Sequence, residues 1–152
     1  LNRHQVSYVL IGGLAVALHG VERHTMGVAV RVVVSPDNKS RLAAAANELN
    51  LQPMLPVHLS ALEDIDTLRR WHTERHLQAF ALRSDQLAGV TLDVLLFPPV
   101  DPNDMVKRAQ QLVIAGVPVA LACIDDLIAL KQSAGRPIDL ADIEHLKRLQ
   151  TP

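Results

Sequence analysis

Short apolar runs alternate with polar, helix-forming stretches along the whole chain. The run of β-branched residues from Val28 to Val34 predicts a strand. Ser35 and Pro36 come directly after it, and a serine N-cap with proline at the first helical position predicts a helix over residues 36–49. The same patterns predict an extended segment or helix end at 6–11, strands at 77–82 and 91–97, two short strands around an Ala-Gly turn in 112–122, and helices over 14–19, 62–72, 101–110, 125–134 and 140–149.

The predicted strands and helices interleave throughout, which indicates an α/β or α+β domain. Both hairpins and longer crossovers connect the strands, so we expect a mixed β-sheet flanked by helices rather than a purely parallel sheet. Two helices separated by a break at "GRP" form a C-terminal helical pair. The length of 152 residues suits a single domain that spans 1–152.

Composition narrows the classes of function. Apolar residues make up 49% of the chain and charged residues 20%, which argues against a disordered chain. The formal net charge is −1 without any block of like charges, so a contact with nucleic acid would need a local patch. No apolar run reaches the ~18 residues of a membrane helix, and the single Cys123 is typical of a reducing compartment. We therefore expect a cytoplasmic protein with no membrane partner.

The most informative stretch joins an apolar run to Gly12 and Gly13. Glycines at a strand–helix junction let backbone N–H groups approach a phosphate closely. Many glycine pairs are merely tight turns, so this pair gains weight only from the residues downstream of it. After thirteen intervening residues comes "GVAV" at 27–30, then Asp93 within "TLDVLL", and finally "DDLIALKQSAGRPIDLADIEHL".

This ordered set resembles the nucleotidyltransferase superfamily that includes DNA polymerase beta, and looks closest to its small bacterial branch of abortive-infection toxins (AbiEii-like). The resemblance covers most of the chain and rests mainly on "LIGGLAVALHG..R.T" and "DLIALK...GRP.DLADI.HL". It implies a nucleotidyltransferase-like fold, Mg²⁺ as the cofactor, and transfer of NMP from an NTP to a hydroxyl of an RNA, a protein or a small molecule. It also implies an antitoxin or a second copy of the chain as a partner.

The resemblance assigns roles to individual positions. The nucleotide-binding positions that it implies are Gly12, Gly13, Arg23, Thr25, Lys131 and Arg136. Gly12 and Gly13 would cradle the triphosphate, Lys131 would face it, and Arg136 would contact the phosphates or the acceptor. Asp139 would orient these basic groups or help to deprotonate the acceptor hydroxyl.

A structural alternative explains the same C-terminal motif without chemistry. Gly135 is typical of a helix C-cap, and Pro137 is typical of the start of a new helix. Asp139 would then be the N-cap of that helix, and Asp142 would lie in its first turn, where a negative charge favours the helix dipole. The two interpretations are compatible, because a capping residue can also border a pocket.

Two of the three carboxylates that the family uses to bind metal are missing. In that family, two acidic residues on the strand after the glycines bind two metal ions, and a third carboxylate on a neighbouring strand completes the site. Residues i and i+2 of a strand face the same side, so this spacing aims both carboxylates at one ion pair. The equivalent positions hold Gly27 and Ala29, and only Asp93 remains. We therefore expect weak or no Mg²⁺ binding, with Asp93 as the only metal ligand, and impaired or absent transfer.

Two other interpretations stay open at this point. The chain is either an active enzyme that uses Asp93 with other acids in an atypical site, or a non-catalytic nucleotide-binding or toxin–antitoxin partner module. Arg31 bears on the site because strand alternation places it on the same face as residues 27 and 29. Its guanidinium either forms an ion pair with Asp93 or points into solvent at the end of the strand.

Overall fold

The computed structural model describes residues 1–21, 27–33, 35–54, 66, 69–70, 79–84, 91–95 and 100–150. The strands within these ranges are β1 (Tyr8–Ile11), β2 (Gly27–Val32), β3 (Gln52–Pro53), β4 (Ala79–Arg83), β5 (Thr91–Leu95), β6 (Gln110–Ile114) and β7 (Val117–Leu121). The helices are α1 (Gly12–Leu18), α2 (Pro36–Glu48), α3 (Pro102–Arg108), α4 (Ile124–Ala134) and α5 (Pro137–Gln150), with a 3₁₀ turn at Asn2–His4 before β1. The helix predicted over 62–72 lies largely outside the described residues.

The described strands form one seven-stranded sheet in the order β3-β4-β5-β2-β1-β7-β6. β2 runs parallel to β5 and β1 runs parallel to β7, whereas the other neighbouring pairs are antiparallel. The prediction of a mixed sheet flanked by helices is therefore confirmed. No helix among the described residues is long and apolar enough to span a membrane.

Local sequence signals set where the helices begin and end. The Ser35 hydroxyl accepts a hydrogen bond from the backbone N–H of Asn38 at 3.2 Å, and α2 starts at Pro36 as predicted. α4 ends at Gly135, whose φ of 66° is left-handed, and α5 begins two residues later at Pro137. The predicted C-terminal helical pair is confirmed. Asp139 lies inside the first turn of α5, so the prediction that it is the N-cap is wrong.

The edge hairpin of β6 and β7 also reflects its local sequence. The Ala-Gly turn places Ala115 at φ 52° and Gly116 at φ 81°, two consecutive left-handed residues. Two such residues give a turn whose twist matches that of antiparallel strands, and glycine adopts this conformation without a steric penalty. The two short strands predicted around this turn are confirmed.

A single apolar core holds the central strands against α4 and α5. The largest fully buried side chains are Phe80, Leu42, Leu82, Met105, Leu121, Leu127, Leu146, Val9, Val16 and Val30. Leu127 projects from α4 and Leu146 from α5, so burial of these two side chains fixes the helical pair on the sheet. This packing brings α4 close to the place where β1, β2 and β5 lie side by side.

Candidate functional site

One cavity of about 500 Å³ lies between β1, β2 and β5 on one side and the C-terminal half of α4 on the other. The residues that line it are Ile11, Gly12, Ala29, Asp93, Leu95, Leu127, Leu130, Lys131, Ser133, Ala134, Arg136 and Asp139. Six of these, Gly12, Ala29, Asp93, Lys131, Arg136 and Asp139, are positions that the sequence singled out. The fold thus brings together residues that are more than a hundred positions apart in the chain.

Strand register places the two substituted positions beside the remaining carboxylate. Ala29 is paired with Ile11 on one side and with Asp93 on the other, so it lies between β1 and β5. A Cβ atom added at Gly27 would lie 3.9 Å from Oδ2 of Asp93 and 3.0 Å from Oγ1 of Thr91. Side chains at 27 and 29 would therefore point towards Asp93, as the i and i+2 spacing predicts.

Gly12 is required where β1 turns into α1. Its φ is +74°, and a Cβ atom added there would lie only 2.9 Å from the Cβ of Ala29. Any larger residue would both adopt a strained backbone conformation and collide with β2. Close packing of α1 against β2 therefore accounts for this glycine without a phosphate. Gly13 is the second residue of α1 and is not among the residues that line the cavity.

Asp93 is a carboxylate without a partner in the described part of the chain. Its side chain is half-buried at the cavity, and no described residue forms a hydrogen bond or ion pair with it. Burial raises the pKa of Asp93 above its usual value, because the surrounding protein solvates the charged form less well than water does. No cation of the described residues pairs with the Asp93 carboxylate.

Two further carboxylates of the described residues, Asp139 and Asp142, are paired with cations. The buried ammonium of Lys131 lies 2.9 Å from Oδ2 of Asp142 and 3.5 Å from Oδ1 of Asp139. All three side chains are less than a tenth exposed, so these charges are paired away from water. Asp142 lies in the second turn of α5, which corrects the prediction that it is a first-turn residue. The ammonium of Lys131 is thus paired with two carboxylates of α5, of which Asp139 also lines the cavity.

Arg136 completes this cluster at the junction of α4 and α5. Its Nε donates to Oδ2 of Asp139 at 2.7 Å, its Nη2 donates to Oδ1 at 3.1 Å, and its backbone N–H donates to Oδ2 at 3.2 Å. Burial raises the pKa of Asp139, but the hydrogen bonds from Arg136 outweigh it, and the net pKa is below the usual value. Such a saturated carboxylate is a poor base. The Arg136 side chain remains 68% exposed and can meet a ligand.

Neither prediction for Arg31 is correct. Its side chain is 4% exposed, so it does not point into solvent, and its Nη1 donates to the carbonyl oxygen of Leu95 at 3.2 Å rather than to Asp93. Burial lowers the pKa of Arg31 to about 10, and the charge of Asp101 partly opposes this shift. The packing of both faces of β2 buries this guanidinium, which the alternation of side chains alone did not reveal.

The described residues do not fit the two-ion magnesium site of the family. Mg²⁺ is bound by hard oxygen donors, and a pair of ions needs several carboxylates around one point. The positions beside Asp93 hold the hydrogen of Gly27 and the methyl group of Ala29, which supply no donor. No group of three or more His, Cys, Asp or Glu side chains in the described ranges is arranged to hold a metal ion.

Some residues of the site were missed, and others lie outside the described ranges. Leu127, Leu130 and Ala134 form the α4 wall of the cavity, and their spacing of three, four and seven positions with Lys131 is the signal of one helix face. The sequence predicted this helix and singled out its charged residues, but it did not assign these apolar residues to the wall of a site. Arg23 and Thr25, predicted to bind the nucleotide, lie outside the described residues.

Similarity to known proteins appears at the level of structure. No protein-family model matches the sequence, and no curated protein matches it. A solution structure of the antibiotic-resistance factor ANT(2'')-Ia matches 97% of this chain and 75% of that chain, with a TM-score of 0.56 and 16% identity. A crystal structure of ANT(2'')-Ia in complex with adenylyl-2''-tobramycin matches 97% and 87% of the two chains, with a TM-score of 0.54 and 15% identity. The predicted nucleotidyltransferase fold is confirmed, whereas the closer resemblance to abortive-infection toxins stays a prediction.

Proposed function

We propose that this chain, which has a nucleotidyltransferase fold, has lost metal-dependent nucleotidyl transfer or retains it only weakly. The observation that carries the proposal is the environment of Asp93: the two positions that face its carboxylate hold Gly27 and Ala29. Transfer of NMP from an NTP to a hydroxyl requires the negative charge on the phosphates to be neutralised as the bond to pyrophosphate breaks. One carboxylate does not position two ions for that purpose.

The nearby acidic residues do not replace the missing pair. Oδ1 and Oδ2 of Asp139 both accept hydrogen bonds from Arg136, and Asp142 is 2.9 Å from the ammonium of Lys131. Withdrawing either carboxylate to bind a metal ion would leave a cation without its partner, and for the buried Lys131 this cost is several kcal/mol. An atypical site built from Asp93 and these acids is therefore disfavoured.

A second candidate function is a non-catalytic module that binds a small ligand. The cavity of about 500 Å³ persists although the metal ligands are absent, and its size is within the range of small-molecule sites. Substitution of carboxylates by glycine and alanine removes chemistry while it leaves the strand and the space beside it intact. The two functions share one prediction, which is that the chain as it stands transfers little or no nucleotide.

The experiment restores the carboxylates and compares them with neutral side chains of the same shape. Because a side chain at 27 would be crowded by Oγ1 of Thr91, every protein carries Thr91→Ala. The test protein adds Gly27→Asp and Ala29→Asp, the matched control adds Gly27→Asn and Ala29→Asn, and Thr91→Ala alone is the baseline. Each is incubated with Mg²⁺, a total pool of tRNA and protein, and each of the four NTPs labelled at the α-phosphate. Mg²⁺ binding is measured in parallel by calorimetry.

We expect label transfer and Mg²⁺ binding from the aspartate protein alone. This result would show that two carboxylates are what the chain lacks. Transfer by the baseline or by the asparagine protein at a rate similar to that of the aspartate protein would refute the proposal. Mg²⁺ binding without transfer by the aspartate protein would favour the non-catalytic module, because a restored metal site would then lack an acceptor site.

A further inference from the structure

The walls of the cavity are mainly apolar, and its charges are unevenly distributed. Six of the lining residues, Ile11, Ala29, Leu95, Leu127, Leu130 and Ala134, present aliphatic side chains. Such a surface favours a ligand with an apolar body, because its burial removes nonpolar area from water. Among the described residues, the charged lining consists of Asp93 on the sheet side and of Lys131, Arg136 and Asp139 in the cluster at the junction of α4 and α5.

The charges of this cluster cancel, but the charge of Asp93 does not. Lys131 and Arg136 provide two positive charges, and Asp139 and Asp142 provide two negative charges at distances of 2.7 to 3.5 Å. Asp93 adds one negative charge with no partner in the described residues. Asp142 is not among the residues that line the cavity, so the described charged side chains that do, Asp93, Asp139, Lys131 and Arg136, sum to zero. What favours a cation is therefore the local position of the Asp93 carboxylate, which no described cation pairs with, rather than the net charge of the cavity.

We propose that the cavity binds a small organic amine, whose ammonium group pairs with Asp93 and whose apolar body lies against the leucines of α4. This inference rests on the proposed function, because an Asp93 that served as a metal ligand would not be available to an ammonium group. An organic cation also fits better than a metal ion. One ammonium is satisfied by a single carboxylate and solvent, whereas Mg²⁺ requires several oxygen donors that the aliphatic walls do not supply.

The residues that depart from the family pattern take part in this selectivity. The small methyl group of Ala29 leaves open space beside the Asp93 carboxylate, and Gly27, whose side-chain position is crowded by Thr91, adds no second carboxylate there. Leu95, two residues after Asp93 on the same face of β5, continues the apolar surface next to that space. A cation and a hydrocarbon surface are thus recognised by adjacent groups.

The test uses three indole compounds of similar size and apolar surface that differ mainly in charge. Tryptamine carries an ammonium group, tryptophol is its neutral counterpart, and indole-3-acetate is an anion. Dissociation constants are measured by NMR titration of the ¹⁵N-labelled protein at physiological salt and neutral pH. The variants are Asp93→Asn, which removes the proposed partner, and Glu144→Gln, which removes an exposed carboxylate on α5 and changes the net charge equally.

We expect tryptamine to bind about tenfold or more tightly than tryptophol, and indole-3-acetate to bind most weakly, because a hydrogen bond to a charged partner discriminates by this factor. Asp93→Asn should abolish the preference, and Glu144→Gln should preserve it. Equal affinities of tryptamine and tryptophol would overturn the inference, as would a preference that survives Asp93→Asn.

A titration with millimolar Mg²⁺ separates the two proposals. Mg²⁺ could shift the backbone signals around Asp93 in the wild-type protein but not in Asp93→Asn. This result would show that Asp93 is a metal ligand, and it would overturn both the amine site and the metal-free function. If neither Mg²⁺ nor tryptamine shifts these signals, the amine site is refuted while the proposed loss of metal-dependent transfer stands.

Discussion

The buried pair of Lys131 and Asp142 offers the sharpest test of how the site is built. The ammonium lies 2.9 Å from Oδ2 of Asp142, and the two side chains are 7% and 6% exposed. At an effective dielectric constant of about 20, two unit charges at this distance attract by roughly 6 kcal/mol. Asp142→Asn removes this attraction but also the desolvation cost of the carboxylate, which is roughly 3 kcal/mol. We therefore expect the free energy of unfolding to fall by about 3 kcal/mol.

The measurement is urea unfolding at neutral pH, followed by circular dichroism, on the wild-type protein, on Asp142→Asn and on four further variants. Lys131→Met and Asp142→Leu are made singly and together, and Glu144→Gln serves as the exposed control on the same helix. The double variant should be close to the wild type in stability, since an apolar pair of similar volume replaces a buried ion pair at little cost. The control should change the free energy of unfolding by less than about 0.5 kcal/mol.

Two results would refute this reasoning. A loss below about 1 kcal/mol for Asp142→Asn would mean that Lys131 is adequately paired by Asp139 at 3.5 Å, or is exposed to solvent in solution. Additive losses in the double variant would mean that the two side chains do not interact. In either case the assignment of Asp142 as the main partner of Lys131 would have to be revised.

Further predictions concern Gly12 and the pH dependence of stability. Gly12→Ala should lower the free energy of unfolding by about 3 kcal/mol or more, because it combines positive-φ strain with a 2.9 Å contact to Ala29. Gly116 also has a positive φ but has open space around it, so Gly116→Ala measures the strain alone. In the same urea assay, Gly116→Ala should lower the free energy of unfolding by about 1–2 kcal/mol. Asp93→Asn should stabilise the ligand-free protein at pH 7, because the pKa of Asp93 is raised on folding; this gain should vanish below about pH 4, and a loss at pH 7 would indicate a partner. Asp139→Asn should instead destabilise the protein at pH 7, because the pKa of Asp139 is lowered on folding. The stability that the Asp139 carboxylate contributes is complete above about pH 5 and disappears as the pH falls through the folded-state pKa. A difference in stability that does not change with pH would contradict this prediction.

Features that depend on a few neighbouring residues were predictable from the sequence. Ser35 with Pro36 begins a helix, Gly135 ends one, and the Ala-Gly turn closes a hairpin, because in each case the hydrogen bonds and backbone angles involve residues within four positions of one another. The spacing of 27 and 29 likewise fixed that both face one side of their strand. Strand and helix bounds differ from the predicted ones by a few residues, because pairing across the sheet decides where each element ends.

The part of the site that the sequence did not determine depends on partners far along the chain. Whether Arg31 is buried depends on what covers both faces of the sheet, and the two environments predicted for it were wrong. Asp93, in contrast, was correctly recognised as the one remaining carboxylate, but its lack of a partner among the described residues appears only when β5 is placed beside β2 and α4.

The sequence by itself thus determined the local elements, the mixed sheet, and which chemical groups are present or missing at positions 27, 29 and 93. Only the tertiary structure decided that Lys131 is paired with Asp142 and that Asp93 has no partner within the described ranges, whereas the pair of Arg136 and Asp139 is local. The physical reason is range. Backbone preferences act over a few residues, whereas burial and ion pairing depend on distances between atoms that only the folded chain sets.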